Sequence, residues 1–330
     1  MLYNKIAVKH RKNVSSAQKR LAQKYHPFKI EKSTLKECRK FTDSPDGGLL
    51  RIINYAHGIK QRVYYDGVHR FAGTRNAQQV WEDKKGHCIE QNILLYALLS
   101  HYGVKTDWII VKNPEGYEAD NLDEVGLHSF LIYREKGDVF WIDAVGAKKG
   151  REIPVHDIIF SPQQQFCIAQ QPLHFHEFVA FYFGDAADDM MCHGHHKKAL
   201  DLLQTALKID PHNYIFYILQ GEAHSFLSQF HMAEASYQKA KEMTPGLLDS
   251  WKVYGDFCLE AYSVEKAVKA YQAALGRRTQ DIQILHDLEK RLHRIDEKKL
   301  ALRANKMKHN LARAQPFRHF ANYFDFHEVL

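Results

Sequence analysis

Two kinds of hydrophobic patterning divide the chain. Residues 47–62 begin at Gly47-Gly48 and bring Leu49, Ile52, Ile53, Ala56 and Ile59 onto one helical face. A short helix is expected over 14–26, stopped by Pro27, and another from Asn76 to Trp81. The run GHCIEQNILLYALLSHYG then predicts an amphipathic helix that ends at Gly103. Beyond Gly103 the period shortens. TDWIIVKN, LHSFLIYR and DVFWIDAV are rich in β-branched and aromatic residues and predict strands. The polar run PEGYEADNLDEVG separates the first two, and REKGD closes a hairpin between the second and third. Helices followed by an antiparallel sheet predict an α+β domain over 47–165.

From about residue 178 the pattern turns helical again and repeats. Ala199, Ala233 and Ala267 are 34 residues apart, as are Ala206, Ala240 and Ala274. The pairs Gly221 and Gly255, Pro211 and Pro245, and Tyr237 and Tyr271 keep the same phase. A 34-residue period with small residues at fixed offsets is the signature of tetratricopeptide-type repeats. About three fit between 178 and 280. The stripe Ile282, Leu285, Leu288, Leu292 and Ile295 predicts a capping helix within a basic segment, 281–330.

Composition adds a charge asymmetry. The net charge is +7, yet residues 1–40 sum to +10 and residues 290–318 to +8, which leaves −11 on the rest. The basic segment 1–46 and the basic C-terminal segment lack interleaved aromatic residues, so nucleic acid is not the expected partner. No apolar run is long enough for a membrane span. Five dispersed cysteines without a CxxC pair argue against a disulfide framework and fit a reducing, cytoplasmic setting, with export by a signal-less route left open.

Candidate chemistry centres on Cys88. It opens a predicted helix after Gly86, where free N–H groups and the positive end of the helix dipole stabilise a thiolate. His128 and Asp143 fall on neighbouring predicted strands, where a carboxylate can orient an imidazole base. Gln78, Gln79 and Trp81 precede the cysteine and are candidate oxyanion donors. The acidic loop with Glu118, Asp120, Asp123 and Glu124 runs into His128 and is a candidate substrate loop. The cluster Cys192-His193-Gly194-His195-His196 falls at a turn of the first repeat, so no metal and no cofactor are expected.

The segment from AQQVWEDKKGHCIEQNILLYALLSHYGVKTDWIIV to LHSFLIYREKGDVFWIDAV resembles the core of the transglutaminase-like superfamily of papain-like cysteine enzymes. Its motifs stand here as Gly86-His87-Cys88, His128-Ser129-Phe130 and Trp141-Ile142-Asp143. The resemblance covers roughly residues 50–146. It implies a Cys-His-Asp triad acting on protein or peptide amide bonds through a thioester. Water then gives hydrolysis and an amine gives transamidation, and both stay open. The repeats would dock the substrate or a protein partner in their groove. The competing expectation is an inactive transglutaminase-like scaffold whose repeats mediate protein–protein interaction.

Overall fold

The structure is a computed structural model that describes residues 15–17, 20, 27–40, 49–65, 75–112, 127–142, 159–160, 168–169, 173, 175–279 and 282–314. It forms two compact units, one running to Asp185 and the other starting at Ala186.

In the first unit, helices α1 (Lys32–Arg39), α2 (Leu49–Arg62), α3 (Ala77–Asp83) and α4 (Cys88–His101) precede the sheet. Helix α2 buries Ile52, Tyr55, Ala56 and Ile59 on the face its periodicity predicts. Helix α3 starts at a reciprocal cap between Asn76 and Gln79 and stops at Lys84, whose φ is +54°. The chain then pairs strand β2 (Lys85–Gly86) in parallel with β1 (Tyr64–Tyr65) and enters α4 through His87. Sequence pattern alone makes α4 amphipathic. In the fold it is a central helix: Ile89, Ile93, Leu94, Leu95, Leu98 and Leu99 are buried, and so are Glu90, Gln91 and Asn92. Gly103, with φ +73°, ends it, because Gly103 N–H bonds to Ser100 and Val104 N–H to Leu99 in a Schellman pair.

The sheet has five antiparallel strands rather than the three that the pattern marks. They are β3 (Asp107–Lys112), β4 (Leu127–Glu135), β5 (Asp138–Ile142), β6 (Ile159–Phe160) and β7 (Ile168–Ala169). Their order is β6-β5-β4-β3-β7. The two edge strands are only two residues long, too short for a period to register. The β4–β5 hairpin turns at Lys136 and Gly137, both at positive φ, the geometry that matches the strand twist. Trp108 on β3 stacks on Phe178 at 3.7 Å, and Phe28 and Tyr96 pack beside it.

Helix α5 (Phe175–Cys192) supplies Phe178 to the first unit, and its residues from Ala186 belong to the second. There follow α6 (His196–Ile209), α7 (Tyr214–Phe226), α8 (Phe230–Met243), α9 (Leu248–Ala261), α10 (Val264–Ala274), α11 (Ile282–Arg294) and α12 (Lys298–Ala314). Helices α7 and α8, α9 and α10, and α11 and α12 pack as hairpins. The small residues explain the closeness. A Cβ on Gly221 would lie 2.8 Å from the Tyr237 ring, and one on Gly255 would lie 2.4 Å from the Tyr271 ring. Ala199, Ala233 and Ala267 are fully buried, as are Ala206, Ala240 and Ala274.

The C-terminal segment differs from the expected single cap. It holds a fourth helix pair, α11 and α12, in which Ala301 continues the alanine series 34 residues after Ala267 and is fully buried. The glycine and tyrosine positions of that pair carry Glu289 and Asn305 instead. A hydrogen bond from Asn305 Nδ2 to Glu289 Oε1 at 2.6 Å replaces the ring contact. This exchange hid the fourth pair from a search for Gly and Tyr.

Candidate functional site

The N-terminus of α4 is built by its own first turn. Glu90 is 1% exposed and accepts from His87 N at 3.0 Å, from Arg75 N at 2.6 Å and from the Arg75 guanidinium at 3.1 Å. A carboxylate placed there meets the positive end of the helix and a cation, which offsets its desolvation. Gln91 donates Nε2 to the Gly86 carbonyl at 2.6 Å, tying the turn to β2. Asn92 donates Nδ2 to the Ser129 carbonyl at 2.7 Å and to its hydroxyl at 3.1 Å, tying the turn to β4. His87 Nε2 lies 3.4 Å from Asp185 and 3.7 Å from Glu90. Tyr182 has its phenol pushed up by burial first, then by Glu90 and Asp185.

Against this frame the expected site residues fall as follows. Cys88 is the first residue of α4, with His87 at the cap position. His128 is on β4, where its backbone registers with Val111 on β3, and its neighbour Ser129 takes the bonds from Asn92. The β4–β5 register ends at Leu131 opposite Ile142, and Asp143 lies outside the described residues. So do Glu118, Asp120, Asp123 and Glu124.

The three oxyanion candidates have other tasks. Gln78 accepts from Glu31 N at 2.9 Å and donates to Thr34 and Glu82. Gln79 closes the α3 cap with Asn76. Trp81 is 3% exposed and donates Nε1 to Glu37 at 2.9 Å, with Lys84 over its ring. All three fasten α3 and its neighbours, because a buried polar side chain takes the partner that satisfies it. The polar residues that do organise the α4 terminus, Glu90, Gln91 and Asn92, were visible as three consecutive polar positions inside an otherwise apolar run.

The second unit carries a charged strip. Asp256 on α9 accepts from Tyr271 at 2.7 Å and pairs with Lys252 at 2.9 Å and with Arg291 of α11 at 3.0 Å. Glu222 on α7 is held at about 7, by burial first, then by Asp188 and Asp256, with Lys252 opposing and Glu260 adding. Asp188, Glu222 and Asp256 stand 34 residues apart, so one repeat position supplies an acid to three successive first helices. That spacing was legible in the sequence and is the signal the alanine and glycine series overshadowed.

Of the histidine cluster at the first turn, His193 Nδ1 lies 2.8 Å from the Asp189 carbonyl and His196 stacks on Phe226. Among the described residues no three His, Cys, Asp or Glu side chains gather as a metal's ligands would, and no helix is long and apolar enough to cross a membrane.

No protein-family model and no curated protein matches the chain. Solved structures of repeat proteins do. A crystal structure of MamA is 15% identical, covers 41% of this chain and 79% of its own, and has a TM-score of 0.32. MamA 41-end from Desulfovibrio magneticus RS-1 is 17% identical, with coverages of 43% and 88% and a TM-score of 0.31. The first TPR of Spaghetti (RPAP3), bound to the HSP90 peptide SRMEEVD, is 17% identical, with coverages of 41% and 91% and a TM-score of 0.28.

Proposed function

We propose that the second unit is a docking module that holds a protein or peptide partner along the first helices of its repeats, and that the partner presents lysine or arginine to it. The observation that carries this reading is the strip of Asp188, Glu222, Asp256 and Glu260, which Lys252 and Arg291 balance only in part. Stacked helix pairs present a continuous face suited to an extended chain, and an acidic face selects cationic side chains. A basic peptide carrying a photo-crosslinker is expected to label α7, α9 and α11 of the full chain. Labelling confined to α8, α10 and α12 would refute this placement.

A second reading is favoured by the bond from Asn92 to Ser129, which joins the helix opened by Cys88 to the strand that carries His128. On this reading the first unit is a transglutaminase-like thiol acyl-transfer domain with Cys88 as nucleophile, His128 as base and Asp143 as orienter. The Cys88 thiolate adds to an amide carbonyl. The amine leaves with a proton from the imidazolium, and a thioester forms. Water resolves it to an acid, or a second amine resolves it to a new amide. The test is incorporation of a tagged primary amine into protein glutamine, followed by mass spectrometry. Wild type is expected to transfer label, or else to deamidate or cleave peptide, and Cys88→Ala to do none of these. Equal products from both proteins would remove this reading and leave the docking scaffold.

A further inference from the structure

We propose that Asn92 is a positioning residue for the Cys88–His128 pair. The proposal rests on the acyl-transfer reading above and adds to it the device that sets the nucleophile's helix against the base's strand. The first turn of α4 carries three consecutive buried polar side chains, and each reaches a different element. Glu90 reaches back to His87 and Arg75, Gln91 to Gly86 on β2, and Asn92 across to Ser129 on β4. Only the last of these contacts joins the α4 terminus to the strand that holds His128.

The chemistry of the contact explains why a polar link stands in this place. Asn92 and Ser129 are both fully buried. A buried primary amide is costly unless its donors are used, and a leucine would pack against Leu131 and Trp108 at no such cost. Apolar packing, however, tolerates sliding along the strand. A hydrogen bond of 2.7 Å to a carbonyl fixes both distance and direction. Asn92 lies four residues after Cys88, one helical turn, and Ser129 lies one residue after His128. A shift of α4 along β4 would therefore pass directly to the separation of thiol and imidazole, where a displacement of about 1 Å can cost on the order of 100-fold in rate.

The test uses the full chain in a Cys192→Ser background, since Cys192 is exposed whereas Cys38 and Cys258 are buried and their thiols are pushed up by that burial first. Alkylation of Cys88 by iodoacetamide is followed against pH by peptide mass spectrometry, alongside amine incorporation. The unaltered site is expected to alkylate with an apparent pKa below the ordinary thiol value of about 8.5. Asn92→Leu, close in volume but without a donor, is expected to move that midpoint up by about one unit and to lower kcat roughly 100-fold at unchanged KM. Ser129→Ala keeps the carbonyl and loses the hydroxyl, and is expected to fall between the two. If Asn92→Leu does not fold, Asn92→Ala is read in the same way. A folded Asn92 variant with the wild-type pH profile and kcat overturns the positioning role while the acyl-transfer reading stands. An ordinary thiol midpoint in the unaltered site, together with products that do not depend on Cys88, overturns that reading itself.

Discussion

At the scale of single residues, Glu222 shows how burial turns a carboxylate into a pH-sensitive element. Burial comes first, then Asp188 and Asp256, with Lys252 opposing and Glu260 and Tyr237 nearby, and they hold it at about 7 against an ordinary 4.5. The folded state thus keeps the proton more tightly than the unfolded one. Its contribution to stability is present below about 4.5 and is lost as the pH rises through 7. Glu222→Gln is therefore expected to raise the melting temperature at pH 8, by the equivalent of on the order of 2 kcal/mol, and to leave it unchanged at pH 4. Differential scanning calorimetry at the two pH values checks this. Glu234 is the opposite case. Burial alone would raise it, but hydrogen bonds from Lys266, Tyr262 and Tyr254 hold it at about 2, so its contribution is kept above the ordinary carboxylate range and lost as the pH falls toward 2. Neither behaviour is legible in the sequence, since both depend on neighbours from other helices.

At the scale of elements, the repeat hairpins were readable because their packing rests on side-chain size. Gly221 faces Tyr237 and Gly255 faces Tyr271 with no room for a methyl group. Gly255→Ala is expected to destabilise the second unit by about 1–3 kcal/mol, the usual cost of overpacking, and Gly221→Ala by less. Chemical denaturation of the full chain measures both. A Gly255→Ala variant as stable as wild type would show that the ring moves aside freely. The turns follow a rule the sequence hides. Gly194, Ser228 and Asp296 occupy one repeat position and all adopt positive φ, but only the first is glycine. Helix α4 was legible as a helix from Cys88 onward, yet its amphipathic pattern did not reveal that it is buried nearly all round. Glu90, Gln91 and Asn92 look solvent-facing by residue type, and only their partners Arg75, Gly86 and Ser129 show why they are inside. The oxyanion candidates failed for the complementary reason. Gln78, Gln79 and Trp81 are near Cys88 in sequence, but α3 uses them to hold α1 and its own cap.

At the scale of the whole molecule, charge is the property that ties sequence to proposed function. The chain carries a net +7 with its positive charge gathered toward both ends, and the acids of the second unit fall at one repeat position on successive first helices. A partner recognised there would be cationic, and its lysines would also be candidate amines for a thioester formed at Cys88. The central claim is that docking depends on this acidic strip. It is tested most directly by calorimetric titration of a lysine- and arginine-rich peptide into the full chain, wild type against Asp188→Lys with Glu260→Lys, two exposed positions whose change leaves the helix packing intact. The account predicts binding to wild type that weakens with added salt and is lost in the charge-reversed protein, while a glutamate-rich peptide of the same length binds neither. Equal binding of the basic peptide to both proteins, or of basic and acidic peptides to wild type, would contradict it.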